Sequence, residues 1–482
     1  MVPTLRYSGL RHRISPSLRS DMKPTLATVT NKPLHSARTA PAGPIPLLVG
    51  QRSDDPNLAV RFMLAVLLLL VFSRVTELLP VPGLVFGLNI ILLSYAALTR
   101  RWHHTLRTPA TALLLALSAW MALATVFGMY RRGSLMLLAA TWSRSLLIYL
   151  AVSVLVLSLA TFRLVTTAIT LASATIVLLS RFLGAQTSEE GRLVVLTSTL
   201  SNPNDLATLL LLGLPFAAFA VSDRQRLLVT RLIGLATLIG SLIVIFLTGS
   251  RGALVALAAL LFLLPIFIRG RVRLLLMLAA LAGTLLAALL LPDPIRRRYQ
   301  TLVKDEVEEV PGMRVVQFAE GSALQRWYLL KASAVITMQN PVFGVGPGNF
   351  ADAHAKMLRE VFLRAPWRQT HNSYTQISSE CGLPAALLYV LVLGFCLRTT
   401  IRIRRAAAVV PECAHFAGPS LCLLASTLCY TITAMASSIA YLPYFPLLAA
   451  LTVGLRAAAR RQLQSVSQFD PPHARRRPAL VL

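Results

Sequence analysis

The feature that most constrains this chain is a series of long apolar runs separated by short arginine clusters. The run 274–291 is typical, led by Arg269, Arg271 and Arg273. About 20 apolar residues at 1.5 Å rise span a hydrocarbon layer of roughly 30 Å. Such runs recur at 58–76, 82–99, 110–128, 145–161, 164–181, 206–221, 231–248, 252–268, 273–291, 381–398, 416–437 and 441–456. Buried core helices could account for one or two of them; a dozen in series require a bilayer. Composition agrees, because only 14% of residues are charged against about a quarter in soluble proteins. The expected fold is an all-α polytopic membrane protein of about twelve transmembrane helices, in regions 57–291 and 381–456.

The formal net charge of +28 does not indicate nucleic acid. The basic residues lie in two polar tails, 1–56 and 457–482, and in clusters between apolar runs, without interleaved base-stacking aromatics. That placement sets membrane orientation. With the N-terminus cytoplasmic, the inner loops carry Arg100, Arg101 and Arg107; Arg163; Arg224, Arg226 and Arg231; Arg269, Arg271 and Arg273; and Arg398, Arg402, Arg404 and Arg405. The outer loops are poorer in arginine, as the positive-inside rule requires, with Arg131 and Arg132 running against it. Both termini are therefore expected inside, with the tails disordered and the first span acting as an uncleaved signal anchor. Cys381, Cys396, Cys413, Cys422 and Cys429 lie in or beside apolar runs without metal-ligand spacing, and read as packing residues.

One connection differs from the rest. Residues 292–380, between the ninth and tenth spans, are polar and should lie outside the cytoplasm as a large ordered loop. Ser322-Ala323-Leu324-Gln325 has capping-box form, followed at helical spacing by Trp327, Leu330, Ala334, Val335 and Met338, until Asn340-Pro341 ends the pattern.

Three polar segments could carry chemistry. Thr248-Gly249-Ser250-Arg251-Gly252 is a tight turn that leaves Arg251 at the outer membrane edge, either as a snorkelling anchor or as a fixed guanidinium for an anion. Arg326, on the loop helix, reads either as a headgroup contact, together with Lys331, or as a second anion-binding group. His371-Asn372-Ser373 caps the tenth span, and His371 could take a proton at neutral pH. The segment Gly344-Val-Gly346-Pro-Gly348 lacks the flanking strand and Lys of a nucleotide loop and is expected to be a simple turn. Asp352, His354 and His371 have no ligand-like spacing, so no metal or other cofactor is expected.

In this order and topology the three segments resemble the O-antigen ligase and polymerase superfamily. Thr248 to Gly252 is similar to its Ser-Arg-Gly signature, Arg326 to Leu330 to its Arg-x3-Leu element, and His371-Asn372 with Gly382 to its His-Asn-x9-Gly element. Ala385 stands where that element has Gly, Thr or Tyr, and leaves ligase and polymerase open. Ser201-Asn202-Pro203-Asn204-Asp205 also resembles a family segment. The resemblance implies a helical glycosyltransferase fold of the C type (GT-C-like) in the bacterial cytoplasmic membrane. It implies an undecaprenyl-pyrophosphate-linked glycan as donor, and lipid A core or a growing glycan as acceptor at the periplasmic face. Carried over, Arg251 and Arg326 would hold the pyrophosphate and His371 would act as base. Glu380, Asn372, Ser250 and Asn204 would support them. O-antigen or exopolysaccharide repeat-unit polymerisation is the close alternative. A small-anion transporter is the alternative of another class, but it should place ionisable groups at mid-bilayer in paired repeats, and no such repeat is present.

Overall fold

A computed structural model of the protein describes residues 56–78, 83–100, 102–186, 191–195, 199–268, scattered positions in 270–295, 323–360 and 368–469. Most of the expected ninth span, residue Ser322 of the capping box and the N-terminal tail lie outside the described residues.

The described chain is a bundle of apolar helices. Seven are long and apolar enough to cross a membrane: α3 (Pro109–Phe127), α4 (Arg131–Leu155), α5 (Leu159–Phe182), α6 (Pro203–Ser222), α7 (Leu228–Leu247), α11 (Ser373–Val409) and α12 (Ala417–Thr433 with its preceding 3-10 turn). Shorter apolar helices α1 (Leu58–Ser73), α2 (Leu84–Leu98) and α8 (Arg251–Leu263) join them. Two helices belong to the large loop, α9 (Ala323–Gln339) and α10 (Phe350–Glu360), and α13 (Tyr444–Phe469) closes the bundle.

Local sequence explains where the helices begin. Thr108 and Asn202 each place a side-chain oxygen on a free backbone N–H, and Pro109 and Pro203 follow with φ already set for the first turn. Ser158 does the same for α5. That cap moves two boundaries from their expected places. The expected fourth span at 145–161 is instead the later half of α4, which begins at Arg131, passes a π-helical turn at Leu138–Trp142 and stops at Leu155. Arg144 therefore lies within a helix and Arg163 within α5, where its Nε donates to Asp223 Oδ2 at 2.8 Å. At the other end, α13 continues to Phe469, into the segment expected to be a disordered tail. Its Ala457-Ala-Ala-Arg-Arg-Gln-Leu run consists of strong helix formers.

α6 forms the centre. It packs against α5, α7 and α12, and its apolar side chains from Leu206 to Phe219 are nearly all buried. α7 lies outside it and exposes Leu232, Leu235, Ile239 and Ile243, an apolar surface suited to lipid. The five cysteines are free and buried, and act as the small apolar packing residues expected. A two-stranded antiparallel hairpin, β1 (Gly184–Gln186) with β2 (Leu193–Val195), links α5 to α6.

Candidate functional site

The turn between α7 and α8 is built by residues far apart in the chain. Gly249 has φ of 61°, which reverses the backbone, and Ser250 then caps α8 by accepting from Ala253 N at 3.4 Å. The Ser250 hydroxyl donates to Asn204 Oδ1 at 2.9 Å. Arg192, 7% exposed, clamps the same corner: Nη2 donates to Asn204 Oδ1 at 3.0 Å and Nε to the Thr248 carbonyl at 2.8 Å. Hydrogen bonds from a charged fork are about twice as strong as neutral ones, so the turn is held firmly. Ser250 and Asn204 were expected to support the site, whereas Arg192 was not among the expected residues. Arg251, the first residue of α8, is half-buried at this corner.

Arg326 reaches the same turn from the large loop. A Cβ added at Gly252 would stand 3.1 Å from Arg326 Nη1 and 3.2 Å from the Ala436 side chain. The Arg326 guanidinium thus rests against the bare Cα of Gly252, next door to Arg251. The two glycines of the turn have separate jobs. Gly249 bends the chain, and Gly252, inside a helix, gives clearance to a side chain.

Ala436 leads to His371. It belongs to 434–439, the link between α12 and α13, which binds the segment around His371 through four contacts. Ser373 N donates to the Ala434 carbonyl at 2.7 Å, and Ser373 Oγ to the Ser437 carbonyl at 2.6 Å. Ile439 N donates to Ser373 Oγ at 2.9 Å, and the Thr370 and Ser438 hydroxyls meet at 3.1 Å. Between Thr370 and Asn372, His371 is half-buried with φ of 51°, a conformation that a non-glycine residue holds at some cost. Asn372 caps α11 by accepting from Tyr374 N at 2.9 Å and Thr375 N at 3.2 Å. Sequence reading had buried 416–437 inside a span. Its small polar run, Ala434-Met-Ala-Ser-Ser438, was the available signal of a break.

Glu380 lies elsewhere. It is 3% exposed, and its Oε2 accepts from Gly348 N at 2.8 Å and from the Tyr441 hydroxyl at 2.6 Å. It sits two helical turns beyond Asn372, about 10 Å along the axis. The structure therefore gives it the glycine-rich turn as partner, where an orienting bond to His371 had been one expectation. That turn is packed backbone to backbone. Gly344 N donates to Asn340 O, Val345 N to Ser379 O, and Gly346 N to Glu380 O. Gly382, with φ of 83° and ψ of 171°, kinks α11 so that Leu383 N reaches the Pro341 carbonyl at 2.8 Å, and any Cβ there would overlap Val342. Trp120 Nε1 donates to the Cys381 carbonyl freed by the kink, at 3.0 Å. The turn is structural, as expected from the missing phosphate-loop residues.

In α9 the expected helix appears but its buried face differs. Leu329, Ala332, Ser333 and Ile336 face inward, whereas Trp327, Val335 and Met338 are exposed. Ala332 and Ser333 are small enough for close packing of α9 on α11, where Thr337 Oγ1 meets Ser378 Oγ at 3.0 Å. His354, one of the residues considered for a metal, stacks on Phe350 and contacts the Tyr328 hydroxyl at 3.3 Å, joining α10 to α9. Burial lowers its pKa from the ordinary value and raises those of Tyr328 and Asp352.

Residues 235–390 match the family model described as O-antigen ligase. The match contains Arg251, Gly252, Arg326, His371 and Gly382, the residues around which this geometry is built. The likeness to the O-antigen ligase family is carried by this segment, about a third of the chain. No curated protein matches the chain. As an O-antigen ligase-like, multi-pass membrane protein of ligase and polymerase type, it has its family segment running from α7 through the kink of α11. Asn204 and Arg192 brace that segment from outside the match.

Proposed function

We propose that the protein is a membrane glycosyltransferase that moves a glycan from undecaprenyl pyrophosphate to an acceptor hydroxyl at the periplasmic face. The observation that carries this reading is the Arg326 guanidinium against Gly252, one residue from Arg251, which brings two arginines from distant segments to one corner. As the bond from the anomeric carbon to the pyrophosphate oxygen breaks, its electron pair adds negative charge to the leaving group. Two preorganised guanidiniums stabilise that charge where water is scarce. The acceptor oxygen forms the new bond to the anomeric carbon from the opposite face, and His371 takes its proton. The 434–439 link, which touches both the Gly252 corner and the segment around His371, fixes the spacing of base and anion site. Glu380 supports the loop from which Arg326 projects.

The test is reconstitution with an undecaprenyl-pyrophosphate glycan and lipid A core. Arg251→Ala, Arg326→Ala and His371→Ala should each lower transfer by about 10³-fold or more while protein remains in the membrane. Transfer should persist in EDTA. Full activity in any variant removes that residue from the mechanism, and a strict divalent requirement contradicts the arginine pair. Product on lipid A core identifies a ligase; longer lipid-linked chains identify a polymerase.

A further inference from the structure

An open cavity lies between the segment that leads into α4 and one face of α10. It has a volume of about 570 Å³ and is lined by Met129, Tyr130, Asp352, Lys356 and Arg359. Small-molecule sites have volumes of roughly 300–1,000 Å³. Asp352, Lys356 and Arg359 recur at i, i+4 and i+7, so one face of α10 carries all three, while Phe350 and Ala353 on another face pack towards α9. The opposite wall is the exposed ring of Tyr130. That wall is fixed in place: Met129 N donates to Val345 O at 2.8 Å, Ser134 Oγ to Pro347 O at 2.8 Å, and Asn349 Nδ2 to Ser134 Oγ at 3.1 Å.

A separate observation points to the same place. Arg131 and Arg132, which oppose the charge rule, directly follow Tyr130 and are exposed. The bonds just described fasten their segment to the large loop, so it is on the loop's side of the membrane. Two exposed arginines on the arginine-poor side thus directly follow a residue that lines a cavity already holding Lys356 and Arg359. α10 also runs back along α9, because it starts at the turn that ends α9 and by His354 has reached Tyr328. Its Arg359 end is thus directed toward the end of α9 that bears Arg326.

We propose that this cavity is an acceptor-side subsite for a saccharide carrying a phosphate or carboxylate group. The Tyr130 ring offers a stacking face to sugar C–H bonds, Asp352 accepts from hydroxyls, and Lys356 and Arg359 pair with the anionic group. The assignment of the sugar to the acceptor rests on the glycosyltransferase reading above; the binding itself does not.

Binding is measured on the purified full chain by saturation-transfer difference NMR, with mannose 6-phosphate and mannose as probes. Mannose 6-phosphate should bind at least about 10-fold more tightly than mannose, and Lys356→Glu with Arg359→Glu should abolish that preference. Tyr130→Ala should weaken both sugars by about 3- to 10-fold with the preference kept. In the transfer assay, the double charge variant should raise the acceptor KM about 10-fold with the donor KM unchanged. Equal binding of the two sugars, or unchanged binding in the double variant, overturns the proposal. So does binding of phosphatidylglycerol nanodiscs, through Lys356 and Arg359, that mannose 6-phosphate does not displace, which would assign these cations to a lipid headgroup. If sugar binding behaves as expected but the unaltered protein transfers no glycan, the glycosyltransferase reading fails and the saccharide site stands.

Discussion

Two glycine-containing turns at the edge of the large loop use the same residue for opposite ends. At Gly344 to Gly348, glycine lets backbone lie on backbone, so that Glu380, Gly382 and the turn form one rigid joint. At Thr248 to Gly252, the backbone is held by side chains instead, and the missing Cβ of Gly252 leaves space for the Arg326 guanidinium. The first turn pins the loop helices; the second is the wall of the proposed site. Space given to backbone stabilises a fold, whereas space given to a charged side chain creates a place for a ligand.

This contrast can be broken experimentally. The largest effect is expected from Gly344→Ala. Its φ is 66° and a Cβ would overlap the Glu380–Cys381 backbone, so the loss should be about 3 kcal/mol or more, seen as little folded protein after detergent extraction. Arg192→Leu should come next, at about 2–3 kcal/mol, because the buried Thr248 carbonyl loses its charged donor. A fall in both thermal stability and transfer would confirm that Arg192 holds the turn; transfer lost at unchanged stability would instead make it a ligand-binding residue. Glu380→Gln should lower the melting temperature through a loss of about 1 kcal/mol or less, since an amide oxygen in the place of Oε2 can still accept both bonds. Loss of transfer at unchanged stability would return Glu380 to a role at His371. Gly252→Ala should move stability least, by under about 0.5 kcal/mol, since alanine suits a helix and the Arg326 side chain can give way. Transfer should nevertheless fall about 10-fold or more as that guanidinium shifts. A Gly252→Ala protein that is fully active would remove the distinction between the two turns.

Much of the proposed site could be read from sequence because its residue types are those that the proposed chemistry needs. An arginine fork, a histidine and a cap of Asn and Ser appear as short local strings, and those strings survive in any fold that uses them. Periodicity likewise showed that 323–339 is a helix but not which face is buried. Trp327, Val335 and Met338 stay exposed, whereas packing against α10 and α11 selected the side with Leu329, Ala332, Ser333 and Ile336. The resemblance gave Glu380 a supporting place beside His371 or a sugar. A helical rise of 1.5 Å per residue separates Glu380 from His371, and the folding back of 340–349 gives the carboxylate other donors.

Sequence by itself determined that this chain lies in a membrane and roughly where most of its helices fall, and it marked the short motifs proposed to bear its chemistry. Hydropathy and capping act over a few residues, and the bilayer enforces them. Only the tertiary structure decided that Arg192 braces the Ser250 turn, that Gly252 makes way for Arg326, and that 434–439 joins this corner to His371. Those contacts join residues tens to hundreds of positions apart. Their existence depends on how whole helices pack, which no local pattern encodes.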